Sequence, residues 1–185
     1  MEVQHVNVKI FAQQPAAIDL AMAIPVFHRW IQNRVTSELL IDVADYRHVP
    51  DGPGVILIGH EAHYALDSAG GRFGLLYNRR TEAEGSTREK IQQAYDSALA
   101  ACKRLEDEPE FRGKLKFHPG DVELIFNDRC LTPNTDETFA ALLPEIERLF
   151  NGLWGGGSFE LSRRGEPRDR LRVGAAVRSN ELQPV

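Results

Sequence analysis

The residues best suited to chemistry gather in His60-Glu61-Ala62-His63, followed by Tyr64 and Asp67, directly after an apolar segment that reads as a strand. Two imidazoles three positions apart would share one helical face. A carboxylate from Asp67 or from a distant Asp42 would then complete a site able to activate water, with or without a metal. The spacing is not that of the zinc proteases, whose two histidines stand four apart. The chemistry implied is that of a hydrolase-type enzyme, with His60, His63, Asp42 and Asp67 as candidate catalytic groups and His60 and His63 as candidate metal ligands. The competing reading makes both histidines ordinary hydrogen-bonded groups at a strand end.

Asp42 interrupts the apolar run Leu39-Leu40-Ile41-Asp42-Val43-Ala44. Burying an unpaired carboxylate is too costly to occur without a partner, so Asp42 either faces solvent under period-two alternation or pairs with a cation in a site. A second constellation points to anion binding. Asp128 and Arg129 follow an apolar strand and precede Pro133-Asn134 at the head of a helix, where free amides and the helix dipole attract anions. Arg129, or Arg79 and Arg80, could add bidentate hydrogen bonds to a carboxylate or phosphate. The ligand-binding candidates are therefore Arg79, Arg80, Asp128, Arg129 and Asn134, against the simpler reading that Asn134 only caps its helix. A third group, Arg163, Arg164, Arg168, Arg170, Arg172 and Arg178, has only Glu166 and Asp169 interleaved. It reads either as a solvated hairpin or as a local basic patch. The glycine clusters lack phosphate-loop and dinucleotide spacing, and neither Cys102 nor Cys130 has an activating neighbour. No cofactor is predicted.

The elements that must position these residues follow from periodicity. Val6, Val8 and Ile10 alternate as a strand; Pro15 is placed to open a helix over Ile18 to Val35 that Pro25 should kink or restart. Leu39 to Tyr46 and Val55 to His60 read as paired strands around Pro50-Asp51-Gly52-Pro53-Gly54, and Phe73 to Tyr77 as another strand. Ser86 and Glu89 form a capping box ahead of a helix with the stripe Ile91, Tyr95, Ala98, Cys102 and Leu105. Leu115 to Phe117 and Val122 to Asn127 read as strands about a hairpin turn at His118-Pro119-Gly120-Asp121. Asn134 with Glu137 reads as a second capping box, opening a helix that Gly155 to Gly157 stop, and Ser158 to Ser162 and Leu171 to Val177 are the last strands.

The order predicts one α+β domain over residues 1–185, with a mostly antiparallel sheet and about three helices covering it. It resembles a ferredoxin-like arrangement with an extra strand and an appended helix. The two ends share the order strand, proline-interrupted helix, strand, strand, which suggests a βαββ duplication relating 3–60 to 122–178, with the Val55 strand equivalent to the Leu171 strand.

At 185 residues, 42% hydrophobic and 26% charged, the composition is that of an ordinary folded protein and excludes disordered and collagen-like classes. Two cysteines without C-x-x-C spacing suggest neither a disulfide framework nor a cysteine zinc site. The amino-terminal residues do not read as a signal peptide and no apolar run is long enough for a membrane span, so a cytoplasmic location is expected. The net charge of −5 repels nucleic acid and anionic membranes at long range. The expected function is a small-anion-binding or protein-interaction and regulatory module, in a homodimer, with a small anionic ligand or a protein as partner; the hydrolase-type enzyme is the alternative.

Overall fold

A computed structural model describes residues 3–13 and 18–178. Its centre is an eight-stranded sheet in the spatial order β2-β3-β4-β5-β1-β6-β8-β7, with every pairing antiparallel. The strands are β1 (Val6–Ala12), β2 (Leu40–Tyr46), β3 (Gly54–Gly59), β4 (Ala62–Asp67), β5 (Gly74–Arg79), β6 (Phe117–Phe126), β7 (Phe159–Arg164) and β8 (Leu171–Val177). The helices are α1 (Ala23–Asn33), α2 (Thr87–Asp107) and α3 (Asp136–Leu153).

Alternation decides which face each strand gives to the helices. Val6, Val8 and Ile10 of β1, Val122, Leu124 and Phe126 of β6, and Leu171, Val173 and Ala175 of β8 are all buried on one face, and they join a common hydrophobic cluster with the helical stripes. α2 lies across β1, β5 and β6, α1 over β2 and β3, and α3 beside α2. The α2 stripe Ile91, Tyr95, Ala98, Cys102 and Leu105 is buried as its spacing requires, and the Ser86–Glu89 capping box is formed in full. Tyr95 meets Phe150 of α3 edge-on at 6.1 Å between ring centroids.

Several expectations are corrected. His118 to Asp121 do not turn: β6 runs unbroken from Phe117 to Phe126, and the irregularity that Pro119 and Gly120 impose is absorbed as a register shift against β1 between Ile10 and Ala12. The α3 N-cap is Thr135, whose hydroxyl accepts the Thr138 amide, so Asn134 and Glu137 form no capping box. α1 starts at Ala23, after a 3-10 turn at Leu20–Met22, and Pro25 sits in its first turn, where its missing amide is no loss. Pro15 lies outside the described residues. The segment around His63 is the strand β4, overlooked because its buried residues run almost without alternation.

Eight strands exceed the four of a ferredoxin-like sheet, whose element order is only partly reproduced. The two ends of the chain also differ in strand order. β8 lies directly beside β6, whereas β3, its counterpart in the suggested duplication, is separated from β1 by β4 and β5. That equivalence of 3–60 with 122–178 is not met. No described helix is long and apolar enough to cross a membrane.

Candidate anion-binding groove

The face of the sheet turned away from the helices carries charge where alternation would otherwise place apolar side chains. On β1, Asn7, Lys9 and Phe11 point to this face and are buried, as are Glu123 and Ile125 of β6 beside them. The β4–β5 connection, with a 3-10 turn at Ala69–Gly71, the loop after β6 and the β7–β8 hairpin rise around this floor. They enclose an open groove of about 590 Å³ bordered by Phe11, Glu123 and six arginines: Arg72, Arg129, Arg164, Arg168, Arg170 and Arg172.

Strand β6 organises the arginines. Its residues Asp121 and Glu123, with Asn127 just beyond its end, alternate onto the groove face, and each holds guanidinium groups contributed by other elements. Arg72 pairs with Asp121 while its guanidinium lies 3.5 Å from the Phe11 ring centroid, a stacked cation–π contact. Arg164 and Arg172, directly opposite each other across β7 and β8, each reach one oxygen of Glu123 at 3.4 Å. Arg170 donates to the neutral Asn127 carboxamide at 2.8 Å, and Asn127 is itself held by reciprocal hydrogen bonds with Asn7.

The cations outnumber their counter-charges. Six guanidiniums face Glu123, Asp169 and the Asp121 bound to Arg72, so three positive charges are left over in a chain whose net charge is −5. Among the described residues, Arg129, Arg168 and Arg170 form no ion pair. Burial, followed by the nearby Arg172 and Arg129, lowers the Arg170 pKa. A partly buried cation crowded by like charges is a group whose protonated form an incoming anion would relieve. Beneath the groove, the ammonium of Lys9 pairs with Asp67 at 3.3 Å and donates to the Ala69 carbonyl at 3.2 Å. Burial lowers the Lys9 pKa, with Asp67 opposing.

Of the ligand-binding residues expected from the sequence, only Arg129 borders this groove. Arg79 pairs with Glu61 and donates to the Thr81 and Glu82 carbonyls at the far end of β5, and Arg80 is exposed nearby. Asp128 closes a turn by accepting the Cys130 and Leu131 amides, and its own carbonyl accepts from Thr132. Asn134 is buried, donating to the carbonyls of Arg164 and Glu166 and accepting from Arg163, so it fastens the β7–β8 hairpin to the head of α3.

The hydrolase candidates do not converge. His60 is exposed in the β3–β4 turn and Asp42 is exposed on the edge strand β2, its Oδ1 accepting the Val43 amide. His63 lies on β4 opposite Ile58 and Asn78, two strands from Asp42, and Asp67 is committed to Lys9 and to the Ala69 amide. Among the described residues no group of three or more His, Cys, Asp or Glu side chains is arranged to hold a metal ion.

The arginines of the β7–β8 hairpin were visible in the sequence as a basic run; their partners were not. The available signal was a charge at an alternating position between apolar neighbours, Lys9 between Val8 and Ile10 in β1 and Glu123 between Val122 and Leu124 in β6. No protein-family model matches the chain, and a search of curated proteins finds no match.

Proposed function

We propose that this protein binds an anionic small molecule in the arginine groove. The observation that carries the reading is the surplus of three positive charges around the groove, where Asp121, Glu123 and Asn127 hold four of the six guanidiniums in place. Guanidiniums already oriented by a carboxylate or carboxamide keep further donors for a ligand, and their planar fork suits phosphate and carboxylate oxygens. Thermal denaturation with phosphate, sulfate and citrate tests it, since a ligand that binds only the native state raises the apparent stability. Stabilisation that saturates, and that Arg172→Gln weakens, is expected; an unchanged melting curve across the panel overturns the reading.

A protein partner is the second reading, supported by the sheet edge at β2. Leu39 just before it is 66% exposed and Ile41 within it 51%, beside backbone groups that no ninth strand covers among the described residues. Pairing of two copies through β2 would give a homodimer. Sedimentation velocity of the parent and of Ile41→Lys tests it: a dimer lost in the variant supports association through this edge, and a monomeric parent excludes it.

A further inference from the structure

The groove is not one basic spot, and its layout bears on the shape of the anion. Asp121, Glu123 and Asn127 occupy one face of a single extended segment, so the anchor points for Arg72, for the pair Arg164 and Arg172, and for Arg170 follow one line. At about 3.3 Å per residue the line from Asp121 to Asn127 spans roughly 20 Å. A compact anion such as orthophosphate would satisfy one rung of this ladder and leave the others unneutralised.

Building on the anion-binding reading, we infer that the groove takes an extended oligophosphate, a chain of linked phosphoryl groups such as tripolyphosphate or the phosphate tail of a nucleoside triphosphate, laid along β6. The middle of the chain sits against Arg164 and Arg172 and its ends point towards Arg72 on one side and Arg170 on the other, a longer chain reaching both more fully than a triphosphate does. Charge supports the chain over a single group: the unpaired Arg129, Arg168 and Arg170 gather beyond Asn127, and a ligand that also meets Arg164 and Arg172 must extend along the row to reach them. Bidentate donation from several planar guanidiniums fits a run of phosphoryl oxygens repeating at short intervals. The Arg72 plane, 44% exposed and backed by Phe11, offers a surface at the end of the row on which a base could stack.

Isothermal titration at low ionic strength with a chelator present compares orthophosphate, pyrophosphate and tripolyphosphate on the full chain. Affinity is expected to rise at least tenfold from orthophosphate to tripolyphosphate. The end variants Arg72→Gln and Arg170→Gln should each weaken tripolyphosphate several-fold and by a larger factor than they weaken orthophosphate. Arg72→Lys, which keeps the charge, provides the same comparison should loss of the Asp121 partner unfold the glutamine variant. Equal affinity for all three anions, with no separate effect at the ends, overturns the oligophosphate while leaving anion binding intact. No binding of any anion removes both. A thymidine dodecamer that binds more tightly than tripolyphosphate, with a steep salt dependence, overturns the inference in favour of a nucleic-acid strand.

Discussion

The guanidinium of Arg164 lies flat on the backbone of Gly174: a methyl group at residue 174 would come within 2.5 Å of Nη2 and 2.6 Å of Nε. Gly174 stands opposite Glu123 on the neighbouring strand, so the missing side chain is what lets Arg164 cross β8 to reach the Glu123 carboxylate. A residue that weakens a strand by its flexibility is placed where another side chain needs the space.

Gly174→Ala should therefore separate stability from binding. The obstacle is the end of a flexible side chain, so the strand can keep its pairing while Arg164 swings away. Replacing a strand glycine then gains up to about 0.5–1 kcal/mol. The melting temperature is expected to stay level or rise, while affinity for tripolyphosphate falls several-fold. Titration calorimetry and thermal denaturation of the one variant check both parts, and unchanged affinity would mean that Arg164 does not touch the ligand.

The capping box at Ser86, the stripe of α2 and the alternation of β1 were legible because each is a local signal, complete within a few residues. The groove was not, because its parts come from four separate places in the chain. Arg72 and Asp121 are 49 residues apart, and Glu123 and Arg164 are 41 apart. Local composition around Arg164 and Arg170 describes a solvated hairpin equally well, and only the register of β6 with β8 and β7 shows which of those arginines share a face. Arg163 and Arg164 are adjacent yet serve opposite faces, the first bound to Asp136 and Asn134 and the second to Glu123. Pro119 misled for the reverse reason: proline and glycine together signal a turn, but a long strand accommodates them at a bulge.

The Lys9–Asp67 pair under the groove makes a stability prediction. Both groups are nearly inaccessible, with side chains 4% and 8% exposed. Lys9→Met leaves the Asp67 carboxylate buried without its cation and is expected to cost about 3–5 kcal/mol. Adding Asp67→Asn, which retains an oxygen for the Ala69 amide, should recover most of that loss. Urea denaturation of the two single variants and the double variant measures the coupling. Additive single effects would show that the two charges do not depend on each other.

His63 makes a prediction about pH. Burial, then the charge of Arg80, holds its imidazole below the ordinary value of 6.5. Its Nδ1 is buried without a partner among the described residues. With the folded pKa depressed, the unfolded chain takes up a proton at a pH where the folded protein resists it. The contribution of His63 is therefore full above 6.5 and is lost as pH falls through the folded value. Unfolding free energy measured from pH 7.5 down to pH 5 should decline, and His63→Leu should reduce that slope. An identical slope in the variant would assign the decline to other groups.

Asn134 distinguishes a fastening role from a ligand-binding one. The residue is 1% exposed, and its carboxamide uses three hydrogen bonds to join the loop before α3 to Arg163, Arg164 and Glu166. Asn134→Ala strands two hairpin carbonyls and is expected to cost about 1–3 kcal/mol. It should also loosen the hairpin that carries Arg164, Arg168 and Arg170, so anion affinity falls as well. The two losses then share one cause, and saturating tripolyphosphate should restore part of the melting temperature by holding the hairpin in place. A ligand-contacting residue would behave differently, lowering affinity at constant stability. Melting curves of Asn134→Ala with and without tripolyphosphate tell the two apart, because only a fastening residue loses stability in the absence of any anion.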